Sequence, residues 1–310
     1  MSDAHSQNGE IEKGILTCNT CGESYPIVRY IPRFVSMENY ATNFGLQWNR
    51  FRQTQLDSYS GHPISRDRFV NETGVTSADS IYNKVILDAG CGAGRFAEIA
   101  LSFGAQVVAI DYSTAVDACR KNLHAYNNLH IVQADIYCLP FVPKSFDFVY
   151  SLGVLQHTPN VRKTFASLVD QLKLGGQITV DLYLKQWINV LLPKYWLRPL
   201  TKNISNELLF RLVELMVPFF LPISICLGRV PFVGSKLRHI IPVANYDGIF
   251  PLNLTQIREW AILDTYDMLA PKYDQPQTAE TLREWFLEMG LQGFEIFRQG
   301  VLVGRGYLPE

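Results

Sequence analysis

Between Val85 and Ala97 the chain reads VILDAGCGAGRFA. Asp88 closes a short apolar run, and Gly90, Gly92 and Gly94 follow before a helical pattern sets Phe96, Ile99, Ala100 and Phe103 on one stripe. Glycine serves such a strand-turn-helix in two ways. It takes positive φ, and it lets a ligand lie against backbone that a side chain would otherwise guard. About twenty residues further on, Asp111 ends a second strand-like run, Gln106–Ile110, where doubly wound folds place an acid that accepts both hydroxyls of a ribose. Two adjacent hydroxyl donors are matched best by the two oxygens of a carboxylate. His157 follows a later run, Phe146–Tyr150, and an imidazole that titrates near neutrality can take a proton from a hydroxyl nucleophile or, alternatively, fix its loop through backbone hydrogen bonds. Cys18 and Cys21 form a C-x-x-C turn that suits two thiolates on one zinc, although a tetrahedral structural site needs four ligands.

A dinucleotide loop would carry a third glycine at position 95, and Arg95 stands there. The acid followed by G-x-G-x-G resembles instead the first motif of class I S-adenosylmethionine-dependent methyltransferases. The resemblance covers roughly residues 81–184 and 278–310 and is similar to the small-molecule type whose fourth strand is followed by a Leu-x-His-Thr pattern, here Leu155-Gln156-His157-Thr158. It implies a seven-stranded Rossmann-like α/β sheet with S-adenosylmethionine as cofactor. The cofactor contacts it implies are Asp88, Gly90, Cys91, Gly92 and Gly94 in the loop, Asp111 with Tyr112, Asp135 on the adenine amino group with the Ile136 amide on the ring, and Ser151 after the fourth strand. It also sets His157 on the face where the methyl group should point. Residues 14–35 resemble the second half of Trm112-like zinc ribbons, but the upstream C-x-x-C is missing, so a metal-free β piece is expected, with His5 the only other ligand type nearby.

The elements that must hold these residues read as five segments. Residues 1–36 form the C-x-x-C segment, with roughly the first dozen polar residues outside the fold. Residues 37–80 carry Phe44, Trp48 and Phe51 at helical spacing and read as a lid over the cofactor or a helix on the core. Residues 81–184 alternate strand and helix, with Gly175-Gly176 ending a helix before a strand at Gln177–Leu182. Residues 185–277 are expected to be a largely helical, apolar cap that supplies the acceptor pocket, with helical stretches at Trp187–Trp196 and Leu208–Leu227. Residues 278–310 give the last helix, Ala279–Met289, and a closing hairpin. Trp48, Trp196, Tyr246 and Tyr266 are the candidate acceptor contacts, with core packing as the alternative for each.

Composition narrows the partners. A net charge of −1 leaves no basic footprint for nucleic acid, and 47% hydrophobic residues can fill one large core with elaborations. The N-terminal residues lack the basic and apolar regions of a signal peptide, the apolar tract Leu215–Leu227 is short for the ~20 residues of a span, and six cysteines show no framework spacing; a cytoplasmic location is expected. The reading favours methylation of an oxygen on a secondary metabolite, glycan component or hydrophobic acceptor. Carbon or nitrogen methylation of a lipid- or quinone-like acceptor, or a non-catalytic S-adenosylmethionine-binding partner subunit, are the alternatives.

Overall fold

The computed structural model describes residues 2–7, 9–187 and 192–310. Seven strands form the main sheet: β5 (Val85–Ala89), β6 (Gln106–Asp111), β7 (Leu129–Gln133), β8 (Phe146–Ser151), β9 (Leu172–Leu182), β10 (Gln292–Gln299) and β11 (Val301–Tyr307). Their order is β10-β11-β9-β8-β5-β6-β7, with β11 antiparallel between β9 and β10. This is the Rossmann-like seven-stranded arrangement expected from the sequence. The parallel strands are apolar on both faces because helices cover both faces. Ile86 and Phe148 enter one core with Phe69, Phe96 and Val116, while their neighbours Leu87 and Val149 enter the opposite core with Phe165, Leu282 and Phe286.

The helices are α1 (Thr42–Arg50), α2 (Asp57–Ser60), α3 (Ile64–Thr73), α4 (Arg95–Ser102), α5 (Ala115–Leu123), α6 (Val161–Val169), α7 (Pro193–Thr201), α8 (Asn206–Gly228), α9 (Gly234–Leu237), α10 (Leu254–Leu269) and α11 (Ala279–Glu288). Between β9 and α11 lie α7 to α10, which close a third apolar cluster around Phe210, Val213, Val217, Trp260 and Tyr266. Part of the expected helical stretch Trp187–Trp196, residues 188–191, lies outside the described residues. Two other boundaries differ from the sequence reading. Gly175-Gly176 do not end α6, which stops at Val169; they lie inside β9, where Gly175 takes φ 74° and its amide bonds the Leu308 carbonyl at 2.8 Å. α8 is continuous through Pro218 and Pro222, so its 23 residues are long and apolar enough to cross a membrane by length and composition, against the shorter tract read from the sequence.

The N-terminal residues are strands as well. β1 (Ser2–Gln7), β2 (Glu10–Thr17), β3 (Ser24–Val28) and β4 (Ile31–Pro32) form an antiparallel meander, so the first polar residues belong to a sheet. Backbone pairing satisfies their amides whatever the side chains, which is why polarity alone misled the reading. The meander is fastened to the main sheet by Arg33, 3% exposed, whose guanidinium donates to Asp117 Oδ1 at 2.8 Å and Gln133 Oε1 at 2.8 Å. Gln133 in turn donates to the Tyr112 carbonyl at 3.0 Å, directly beside Asp111.

Candidate cofactor and acceptor site

At the end of β5 the amides of Gly90 and Cys91 both donate to the Ile110 carbonyl at 2.8 Å, which folds the loop back over β6. Gly90, Gly92 and Gly94 all have positive φ, at 89°, 53° and 89°. Their surroundings differ from a row of bare backbone waiting for a ligand. A Cβ on Gly90 would meet the Val154 side chain, one on Gly94 would meet Leu123 and Cys119, and one on Gly92 would lie 3.2 Å from the Trp48 indole. Gly94 is therefore glycine because it caps α4 against α5, a packing demand; Gly92 is the position where the loop opens toward the lid. Asp111 clamps that opening. Its Oδ2 accepts from the Gly92 amide at 3.0 Å and its Oδ1 from the Ser113 amide at 2.8 Å and hydroxyl at 2.7 Å. Burial nevertheless holds the Asp111 carboxyl above the ordinary carboxylate range.

Asp135 accepts the Tyr137 amide at 2.9 Å, and Ile136 is buried behind it. The Tyr40 ring lies 4.8 Å from Tyr112 and 5.4 Å from Tyr273. Its hydroxyl is pushed far up, first by burial and then by the Asp135 carboxylate, with Asp111 adding to it. Both carboxylates thus bear on one point, beneath the segment that leads into α1. With Tyr40, Phe44 and Trp48, that segment roofs the crevice, and α1 itself is seated on α5 through Gly45 against Thr114 and Asn49 on the Thr114 carbonyl at 2.8 Å.

Several other cofactor candidates sit behind this crevice. Ser151 is fully buried, and its hydroxyl donates to the Ala89 carbonyl at 2.7 Å, tying β8 to β5 instead of offering a side-chain contact. Cys91 is 5% exposed with its thiol raised by Cys119 and by burial, so only its backbone is available to a ligand. Asp88 is 2% exposed, Oδ2 has no partner, and burial lifts its carboxyl from 3.8 to about 8. The unfolded chain releases this proton near its ordinary value while the folded chain keeps it to about 8, so native stability is full at low pH and declines as pH rises through that window. Asp88→Asn removes the titration. Its melting temperature relative to the parent should rise between pH 4 and pH 8, by at most on the order of 5 kcal/mol in stability. A gap independent of pH would mean that Asp88 is ionised throughout.

His157, 6% exposed, lies in the turn after β8. Its Nδ1 is 3.0 Å from the Tyr273 carbonyl, an acceptor, so Nδ1 carries a proton. The imidazole lies between rings, 5.3 Å from Phe44 and 5.5 Å from Tyr183. The turn itself is held by Asp181 on β9, which accepts from the Gly153 amide and pairs with Arg68 on α3. The loop-fixing contact of this histidine is thus present, through Nδ1 on a backbone carbonyl.

On the cap side the four acceptor candidates part company. Tyr246 donates to Asp264 and stacks 5.4 Å from Phe250, with Trp260 5.3 Å away. Tyr266 is fully buried against Phe210 at 4.9 Å, its hydroxyl without a partner. Trp48 covers Gly92, a cofactor-side position, and Trp196 is 68% exposed on α7. A buried polar seam lies between cap and core. Gln55 bridges Arg95 and Asp264, at 3.3 Å to the latter, Tyr183 reaches Asp267 at 3.5 Å, and Gln47 and Gln156 are fully buried with both amide atoms unpartnered. Gln47 sits one residue from Trp48 and Gln156 one from His157, and that adjacency was the only local signal available. Burial lifts Asp264 to about 7. A separate cleft of about 420 Å³ lies between Tyr40 and Asn43 on one side and Lys202, Asn206 and Lys272 on the other.

Cys18 and Cys21 are free thiols on the β2–β3 turn, closed by Cys18 N–H on the Glu23 carbonyl at 2.8 Å. Backbone amides, Cys21 first, lower the Cys18 thiol. Among the described residues no group of three or more His, Cys, Asp or Glu can hold a metal ion; the side chain of His5 lies outside the described set.

The strand order with its antiparallel insertion, the glycine loop and the carboxylates on β6 and after β7 define a class I methyltransferase fold. Residues 87–180 match the family profile described as a methyltransferase domain, so the chain carries such a domain there. The chain is 32% identical over 119 residues to a ubiquinone biosynthesis O-methyltransferase of Idiomarina loihiensis, covering 36% of this chain and 48% of that protein. It is 28% identical over 120 residues to a demethylmenaquinone methyltransferase of Thermobifida fusca, covering 38% and 51%. It is 34% identical over 104 residues to a tRNA U34 carboxymethyltransferase of a Shewanella strain, covering 32% and 31%. The chain thus spans about half or less of the length of the curated relatives it matches.

Proposed function

We propose that this protein binds S-adenosylmethionine in the crevice under Tyr40 and Trp48 and transfers its methyl group to a small-molecule acceptor admitted from the cap side. The observation that carries the reading is the convergence of Asp111, Asp135 and His157 beneath one lid. The residues present suit the cofactor. Gly92 leaves no side chain between loop and lid, and Asp111 offers carboxylate oxygens to ribose hydroxyls. The cofactor supplies an activated methyl group, so the protein's work is orientation and exclusion of water, which can lower the barrier by about 7 to 11 kcal/mol.

We favour an oxygen acceptor: with Nδ1 held by the Tyr273 carbonyl, Nε2 of His157 is the atom that would take a hydroxyl proton. A hydrophobic, quinone-like ring carrying a hydroxyl fits both the aromatic lining of Phe44, Tyr183 and Tyr273 and the two quinone names among the relatives. Carbon methylation of the same kind of ring is the second reading, since only the first of those two names specifies oxygen. A reaction in the cytoplasm is part of the proposal.

Calorimetry with S-adenosylmethionine tests the first half, and absence of binding rejects it. For the second, His157→Ala should leave cofactor affinity within about threefold and cut turnover at least tenfold on a phenolic acceptor, a floor set below the ~10²- to 10⁴-fold that general bases supply. Unchanged turnover removes His157 from proton transfer and favours attack by a carbon or by an already ionised oxygen.

A further inference from the structure

α8 turns an apolar side to solvent. Leu208, Leu212, Leu215, Phe219 and Ile223 follow one another at spacings of four and three and are 53%, 45%, 75%, 67% and 40% exposed. The opposite stripe, Leu209, Phe210, Val213, Val217 and Leu221, is buried against α10, and Glu214 is fixed to Arg50 of α1 at 2.9 Å. A surface helix ordinarily keeps its outer side polar, so a contiguous exposed row of large apolar residues marks a contact surface. The row does not stop at the helix end. Gly234 folds back against the Gly228 carbonyl, and the loop between them carries Val230, Val233 and a fully exposed Phe232.

Charge says what covers it. From Lys185 to Ile240 the sequence has eight Lys and Arg against only Glu207 and Glu214, in a chain whose net charge is −1. Some of these cations are paired inward, as Arg198 is with Asp274, but Lys202, Arg211 and Lys236 are exposed before, along and beyond the apolar row. An apolar stripe flanked by cations, with an aromatic side chain standing out from the adjoining loop, suits the boundary between headgroups and acyl chains of an anionic bilayer. A second protein of flat apolar surface would not use the projecting Phe232 or the cations.

We infer that the outer face of α8 and the Val230–Val233 loop seat this protein on an anionic membrane surface. The helix lies along the bilayer and does not cross it, because its inner stripe closes the cap core. The cleft that leads to Tyr40 has Lys202 and Asn206 on its rim, so docking sets its mouth next to the lipid.

The test is sedimentation of the full chain with vesicles of equal parts phosphatidylglycerol and phosphatidylcholine, beside vesicles of phosphatidylcholine alone; it needs no turnover and stands or falls apart from the methyl-transfer reading. Binding to the anionic vesicles, weakened by salt, is expected. Leu215→Glu with Phe219→Glu should reduce it at least about tenfold while circular dichroism and melting temperature stay unchanged. Should that variant fail to fold, Lys202→Glu with Arg211→Glu, both at exposed positions, should give a loss of at least severalfold. No binding by the parent protein, or binding unaffected by the folded variants, overturns the inference. So does a dimer seen by sedimentation velocity that Leu215→Glu with Phe219→Glu dissolves, with no vesicle binding, which would make a second copy of this chain the occupant.

Discussion

Asp111→Ala should weaken S-adenosylmethionine binding by about 10²- to 10⁴-fold. Hydrogen bonds to a charged acceptor are worth roughly 1.5 to 3 kcal/mol each, and two ribose hydroxyls lose theirs together. At about 1.4 kcal/mol per tenfold in affinity, the loss is about two to four decades. The substitution also frees the Gly92 amide and the Ser113 hydroxyl, which now share the carboxylate, so the loop itself loses its clamp. Titration calorimetry at constant salt measures the effect, with melting temperature as the control for folding. An affinity within threefold of the parent value would mean that the ribose is held elsewhere, and the crevice under Tyr40 would lose its assignment. Asp111→Asn, which keeps one acceptor oxygen, should fall between the two.

The second large effect is on stability. Arg33→Ala should cost about 3 to 5 kcal/mol, because breaking a buried ion pair from one side leaves the other charge uncompensated. The side chains of Arg33 and Asp117 are only 2% and 7% exposed. The exposed Arg29, 3.0 Å from the other Asp117 oxygen, can offset a part of this and sets the lower end of the range. Denaturant unfolding of the two proteins measures it. Replacing both partners by apolar residues of similar volume, Arg33→Met with Asp117→Leu, should recover most of the loss. A single-variant cost below about 1 kcal/mol would show that the N-terminal meander is not fastened to the main sheet by this pair. The same arginine supports Gln133, which holds the Tyr112 carbonyl, so the variant should also weaken cofactor binding by a smaller factor, of order threefold.

The parts of the site that the sequence revealed are those fixed by local rules. The G-x-G-x-G run needs positive φ at each glycine, and the structure has it. Asp111 and Asp135 could be placed because a parallel strand ends where its apolar run ends, and the ligand side of an open α/β sheet lies at those ends. The last helix was legible from its 3.6-residue period, and the closing hairpin from the resemblance to methyltransferases. Where the reading slipped, the deciding partner was distant. Ser151 had a donor to satisfy and found its acceptor in Ala89 across the sheet, and Gly94 is glycine for Leu123 and Cys119, 25 to 29 positions away.

The cap shows the division most sharply. Its sequence says apolar and helical, which sets how much surface must be buried but not against what. Asp264, Gln55, Arg95 and Tyr246 meet only because α10 crosses the segment between α1 and α3, and no spacing in the chain encodes that meeting. Within α8, Leu212 and Val213 are adjacent apolar residues that read alike in sequence and part in space, the first turned to solvent and the second buried against α10. By itself the sequence determined the sheet, the loop and the two carboxylates, because strand period, glycine dihedrals and strand ends are properties of a few adjacent residues. Only the tertiary structure decided which polar groups meet between cap and core and which row of α8 faces outward, because burial is set by elements as far apart in the chain as Thr54 and Trp260.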